Sequence, residues 1–315
     1  AGGTAVASDL DGGPTIATCL ANPRFANLRV ASNGGLTRDL AADYNAWTGT
    51  LGLKWQPNNY TNAYARYSRG YKSGGWLASN GLTPFPYADP EYVDNFELGL
   101  KKTLGGRFQL NSALFYADYK GFQAPLTVVL NSTTGSTGTQ FLNLDAVNWG
   151  LELEGQWSPI HNLQIFGSYS YLNAELKSGC CFVDTADPMA LKAGARPTGA
   201  TLPNGSRLQT LVGNRLPLTP ENKVNLGVNY TFEFSSGDLT LGGTYTFTDK
   251  QQATVFAENG FTSPANEVVD LRALWKDAQD RYTIIGYVKN AFDELAFQDF
   301  RTGSQSASGI QRQTL

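Results

Sequence analysis

From Tyr44 to Phe292, segment after segment alternates apolar and polar residues with a period of two, the spacing that sends successive side chains to opposite faces of a β-strand. The clearest case sets Val147, Trp149, Leu151, Leu153, Gly155 and Trp157 against Asn148, Gly150, Glu152, Glu154 and Gln156. Ten segments carry the pattern: Tyr44–Gln56, Tyr60–Lys72, Tyr92–Thr103, Arg107–Gln123, Val147–Trp157, Asn162–Leu176, Asn222–Phe234, Asp238–Lys250, Val268–Asp277 and Arg281–Phe292. No segment of similar length has an apolar stripe at helical spacing with caps, so little helix is expected. The fold class is all-β.

The connections sort into two kinds. Those at 57–59, 104–106, 158–161, 235–237 and 277–280 are tight, and those at 73–91, 125–145, 176–219, 251–266 and from 292 onward are long and polar. Tight and long connections alternate. An antiparallel up-and-down meander of this kind has the layout of a transmembrane β-barrel with short turns at one end and large loops at the other.

Composition agrees. Charged residues are 16% of the chain against about 25% in an average soluble domain, and no run of 18 apolar residues could form a membrane helix. A net charge of -3 gives no electrostatic case for a nucleic-acid partner. Trp47 and Trp55, like Trp149 and Trp157, stand eight residues apart on one predicted face. At about 3.3 Å per residue and a tilt near 45° they are separated by roughly 19 Å along a membrane normal, close to two interfacial girdles. Gly49, Gly155 and Gly243 share that face and would weaken a water-exposed strand. A soluble sandwich with core tryptophans is the competing architecture.

In lipid every backbone group must be paired, so such a sheet has to close. Its polar face then lines a lumen, with Glu97, Lys101, Glu152, Glu154, Glu233, Asp270 and Arg272 as the charged residues. Both signs occur, which fits a protein-filled lumen or a wide wet channel better than a selective ion pore. The chain opens without Met or a signal-like leader and ends in polar residues, so a fragment is expected.

The residues also carry a resemblance. The run 64–75 (Tyr-Ala-Arg-Tyr-Ser-Arg-Gly-Tyr-Lys-Ser-Gly-Gly), then Pro90-Glu91 and Asn95-Phe96-Glu97-Leu98-Gly99-Leu100-Lys101, resembles the strand motifs of TonB-dependent outer-membrane receptors. So do Leu114-Phe115-Tyr116, Gly150-Leu151-Glu152-Leu153-Glu154-Gly155, Pro220-Glu221-Asn222-Lys223 and Val288-Lys289-Asn290-Ala291-Phe292-Asp293-Glu294. The resemblance covers about residues 44–298. It implies a barrel of about 22 strands, about ten of them here, with 1–43 an extracellular loop segment and 299–315 the start of the last extracellular loop. It also implies a Gram-negative outer membrane, uptake of a scarce bulky ligand (a ferric siderophore first, else cobalamin or an oligosaccharide), and two partners outside this sequence. Those are a plug domain and the TonB complex, reached through an N-terminal region. A passive porin or a structural barrel is the alternative function.

Single residues add little chemistry. The lone histidine, His161, falls in a predicted turn, and the glutamates lack metal-ligand spacing, so no metal, no cofactor and no catalytic group are expected. There is no Gly-x-Ser-x-Gly nucleophile elbow; the chain reads as a non-enzyme. Cys19, Cys180 and Cys181 lie in long loops; because adjacent cysteines bridge only with strain, a bond from Cys180 or Cys181 to Cys19 or to an upstream cysteine is favoured over three free thiols. Candidate ligand contacts at the mouth are Trp76, Phe85, Tyr87, Phe182, Arg196 and Arg207, aromatics suiting sugars or aryl chelators and arginines suiting anionic chelates.

Overall fold

A computed structural model describes residues 28–30, 32, 36–38, 41–76, 87–129, 137–180, 182–184, 197–201, 205, 207–256, 262–295, 297–301 and 311–314. Its centre is one antiparallel sheet of ten strands: β1 (Gly49–Asn58), β2 (Thr61–Lys72), β3 (Glu91–Leu104), β4 (Phe108–Val129), β5 (Thr137–Trp157), β6 (Leu163–Leu176), β7 (Asn222–Phe234), β8 (Gly237–Thr248), β9 (Asn266–Asp277) and β10 (Thr283–Val288). Each strand pairs with its neighbours in sequence, so the sheet is an uninterrupted meander. No helix occurs among the described residues.

The alternation of the sequence becomes the two faces of this sheet. Leu53 lies opposite Ala65, Ala65 opposite Leu98, Leu98 opposite Leu114 and Leu114 opposite Leu151, so one face is apolar from strand to strand. That face is uncovered: Leu53 is 76% exposed and Leu98 60%. A patch on this scale is foreign to the surface of a soluble monomer. The sandwich architecture therefore fails, because among the described residues no second sheet packs on it.

The tight turns form at one end as expected. Gly105 and Gly106 both take the left-handed conformation between β3 and β4 (φ 57° and 67°), which glycine adopts without penalty. At the β9–β10 turn Asp277 accepts the Arg281 and Tyr282 backbone N–H groups at 2.6 and 2.8 Å.

Three expectations need correction. The first strand begins at Gly49, so Trp47 precedes it and the Trp47/Trp55 pair does not share a strand. The polar stretch 125–145 is not loop throughout, since β4 runs on to Val129 and β5 starts at Thr137, with those two residues paired. The last strand stops at Val288 because the chain turns, with Asn290 and Asp293 at φ 49° and 55°. Asn290 Oδ1 accepts the Glu294 N–H at 2.9 Å.

The long connections also hold short ladders. Gly75–Trp76 pairs with Tyr87–Ala88, Arg207–Gln209 with both Phe182–Val183 and Pro197–Thr201, and Gln251–Gln252 with Thr262–Ser263. Leu28–Val30 pairs with Leu36–Arg38, and Phe297–Arg301 with Gln311–Thr314.

Candidate functional site: the polar face and its loop cap

All seven charged residues expected on the polar face fall on it by register. Glu97 lies opposite Arg66, Glu152 opposite Ala113 and Ser170, and Glu154 opposite Asn111 and Ser168. Glu97 accepts hydrogen bonds from the Tyr64 hydroxyl at 2.7 Å and from the Arg66 guanidinium. Lys101, Glu152, Glu154 and Lys223 line a hollow of about 680 Å³ in mid-sheet, where Asn111 Nδ2 donates to Glu154 at 3.3 Å. Two acids and two bases make this region charge-balanced. Toward the tight turns Glu233 meets His161 Nε2 at 3.2 Å, and Arg272 lies opposite Gly242 and Tyr287. Asp270 serves a backbone role, accepting the Asn290 N–H at 2.8 Å.

Space on this face comes from glycines. The Tyr64 ring occupies the position a β-carbon would take on Gly99 and the Phe166 ring that on Gly227, while at Gly150 the Tyr171 backbone oxygen and the edge of Phe115 crowd it. Aromatic rings lying over glycines on a neighbouring strand keep the wall smooth and fill the gap that a missing side chain leaves.

Toward the long loops the same face turns apolar. Ala146 and Leu144 continue the β5 row of Asn148 and Glu152, and Leu172, Ala174 and Leu176 continue the β6 row of Ser168 and Ser170. On β4 the change needs a β-bulge. The ladder to β5 shifts between Tyr119 and Phe122, with Gly121 at φ 68°, and the extra residue moves Phe122, Ala124 and Leu126 onto the polar face's side of the sheet.

Segments from two long connections fold in to cover this patch. Leu211 and Leu216 from the β6–β7 connection, with Val255 and Phe256 from the β8–β9 connection, bury against Ala124, Leu126, Leu144, Ala146, Ala174 and Leu176. Leu176 and Leu211 are fully buried, each worth about 1.5–3 kcal/mol of hydrophobic stabilisation. Backbone bonds run Leu176 N to Asn214 O, Gly213 N to Leu176 O and Leu216 N to Ala174 O at 2.7–3.0 Å. Arg215 donates to Leu172 O at 2.8 Å and to Glu221 at 3.1 Å. The buried Asn214 amide donates to Val255 O at 2.8 Å, joining the two connections. The sequence did not single out Asn214, Arg215 or Gly121 as structural residues; the one local signal was a glycine inside an alternating strand.

The expected mouth residues divide. Phe182 packs against the apolar cluster, and Arg207 is half-buried on the short strand beside it. Trp76 and Tyr87 are register partners. Phe85, Arg196, Cys19 and Cys181 lie outside the described residues. Cys180 is disulfide-bonded. Among the described residues no group of acids, histidines and cysteines could hold a metal ion.

Solved structures share this architecture. The ferric yersiniabactin uptake receptor of Yersinia pestis superposes with a TM-score of 0.61 at 19% identity, over 85% of this chain and 35% of that one. A siderophore receptor of Acinetobacter baumannii gives 0.60 at 18%, over 85% and 34%. A copper transporter gives 0.58 at 14%, over 85% and 38%. At these identities the likeness is one of fold, and the chain spans just over a third of those proteins' lengths. The family described as TonB dependent receptor-like, β-barrel, matches residues 23–291, most of the sequence, and the chain belongs to that family.

Proposed function

We propose that the chain is barrel wall and loop cap of an outer-membrane receptor of a Gram-negative bacterium that takes up a scarce, bulky ligand, a ferric siderophore before cobalamin or an oligosaccharide. One observation carries the reading. An apolar face spans all ten strands uncovered, a polar face backs it, and folded loops close over one end. Transfer of each exposed Leu, Phe or Trp of that face into hydrocarbon is worth about 1.5–3 kcal/mol, tens of kcal/mol over the sheet, so lipid is the solvent this face suits.

On this reading residues 1–43 belong to an extracellular loop, 44–298 to the membrane strands and their loops, and 299–315 to the last loop. Trp149 and Trp157 at the two ends of the β5 apolar face stand at opposite headgroup levels. The polar face meets a plug domain, TonB engages a segment outside this sequence, and Trp76, Phe85, Tyr87, Phe182, Arg196 and Arg207 supply the ligand contacts. The family is one of receptors and transporters, and no covalent chemistry is assigned to the chain. The three solved relatives above are named for ferric yersiniabactin, a siderophore and copper, which supports a metal-containing cargo without naming one.

The test uses the full-length protein. Purified receptor is screened with ferric siderophores, cobalamin and oligosaccharides, and cells are assayed for uptake with and without the TonB complex. Tight binding of one ferric chelate and TonB-dependent uptake are expected. Passage of small solutes that ignores TonB would instead make the barrel a passive porin.

A further inference from the structure

The tight-turn end of the polar face holds a second hollow, of about 560 Å³, whose lining differs in charge from the mid-sheet one. Arg107 and Arg272 both line it, with His161 and the amides of Gln164 and Asn229, and no carboxylate does. In a chain of net charge -3 that is a local inversion of sign. Acids lie just outside the lining: Glu233 pairs with His161 at its rim, Asp238 lies opposite Glu233 and Lys276, and Asp270 accepts the Asn290 backbone N–H. Arg107 has only a long bond to Pro159 O at 3.4 Å, and the Arg272 guanidinium has no partner among the described residues.

The hollow is also shaped. Gln164, Asn229, Gly242 and Arg272 form one row across β6 to β9, each opposite the next. Gly242 leaves room beside Arg272 that the Asn229 amide oxygen leans into, while Asn229 Nδ2 donates to Gln164 Oε1 at 3.5 Å. A guanidinium stays ionised, and its planar fork of donors matches the two oxygens of a carboxylate.

We propose that this hollow is an oxyanion subsite that seats a carboxylate group, with Arg272 as principal ligand, Arg107 as the second cation and Gln164, its amide oriented by the bond from Asn229, as neutral donor. The inference rests on the reading that the polar face lines a lumen. The carboxylate has two sources: an acidic side chain of polypeptide filling the lumen, or a small polycarboxylate solute. The full-length protein in detergent separates them. Citrate is titrated calorimetrically at low salt into wild type, Arg272→Gln, Arg107→Gln and Gly242→Val, and the thermal midpoints of all four are measured at low and at 1 M salt.

A solute site predicts citrate binding to wild type that each variant weakens by at least about tenfold, the range of a lost charge-assisted hydrogen bond. A polypeptide carboxylate predicts no citrate binding, with the midpoint of Arg272→Gln several degrees below wild type at low salt. For Arg272→Gln the deficit narrows at 1 M salt, because screening weakens the pair it lost. Absence of citrate binding together with unchanged midpoints of Arg272→Gln and Arg107→Gln overturns the subsite. A folded barrel resists unfolding in detergent until heated, so wild-type protein that migrates identically on a gel with and without heating would instead sink the barrel reading beneath it.

Discussion

The Tyr64 ring on β2 lies across Gly99 on β3 in the place of the missing side chain, and its hydroxyl reaches two residues along β3 to Glu97 at 2.7 Å. A glycine is thus required on the polar face for steric reasons, although its backbone is ordinary strand. Gly99→Ala should force the ring off its seat and cost about 1–3 kcal/mol, the usual range for overpacking. Gly155 on the apolar face is the control, since a β-carbon there would have its nearest neighbour at 3.7 Å. Gly155→Ala should be neutral or stabilising by up to about 1 kcal/mol, because alanine loses less backbone freedom than glycine. Urea midpoints of the folded full-length protein separate the two, and equal effects would refute the steric account.

The bulge at Gly121 makes a stronger demand. Gly121 is left-handed, and a β-carbon would sit 2.9 Å from Pro90 O, so Gly121→Val meets both a strained conformation and a clash. The expected cost is about 1–3 kcal/mol from the backbone alone. Deleting Gly121 should do more, because removing one residue sends Phe122, Ala124 and Leu126 to the opposite face and takes two of the six buried floor residues from under the loop cap. Limited proteolysis reads this as new cleavage in the β6–β7 connection with the ten-strand sheet still folded.

That bulge also marks where the sequence stopped being legible. Strand number, pairing order and the side of every charged residue on the polar face followed from period-two alternation, which is a local code. Past Tyr119 the parity on β4 reverses, so the true continuation of the strand through Pro125 reads as broken, and Thr137, Gly138 and Thr139 read as loop. The cap was invisible for a different reason. Asn214 and Val255 are joined by one buried hydrogen bond across 41 residues, and neither residue's neighbours in sequence announce such a contact. The hollow around Arg272 likewise needs four strands in register before its sign emerges.

The cap should behave as a packed unit rather than as loose loops. Leu211 is fully buried between strands β4 to β6 and its own connection, so Leu211→Ala should cost about 2–5 kcal/mol locally through lost transfer energy and the cavity left behind. Hydrogen exchange would show the effect as faster exchange at Leu211, Gly213, Asn214 and Leu216, whose amides bond across the cap, with β7 and β8 unchanged. Asn214→Ala should give the same pattern at lower amplitude, leaving Val255 O unpaired at about 1–3 kcal/mol. Uniform acceleration across the sheet would show that the cap is not a separate unit.

Asp277 tests the tight-turn end independently of lumen and cap. Its carboxylate is 5% exposed and accepts the Arg281 and Tyr282 N–H groups at 2.6 and 2.8 Å and Arg281 Nε at 3.3 Å. Within the turn Asp280 takes the left-handed conformation at φ 58°, which aspartate tolerates better than most side chains. Asp277→Ala removes the acceptor from two otherwise unpaired donors and should destabilise the β9–β10 hairpin by about 1–3 kcal/mol. Asp277→Asn keeps one oxygen toward both amides and loses the charge, so roughly half that cost is expected. Because the turn sets the pairing of β9 with β10, the loss should appear first as faster hydrogen exchange at Thr283–Val288 in the full-length protein. An unchanged rate there in Asp277→Ala would mean that strand pairing, and not the carboxylate, holds the turn.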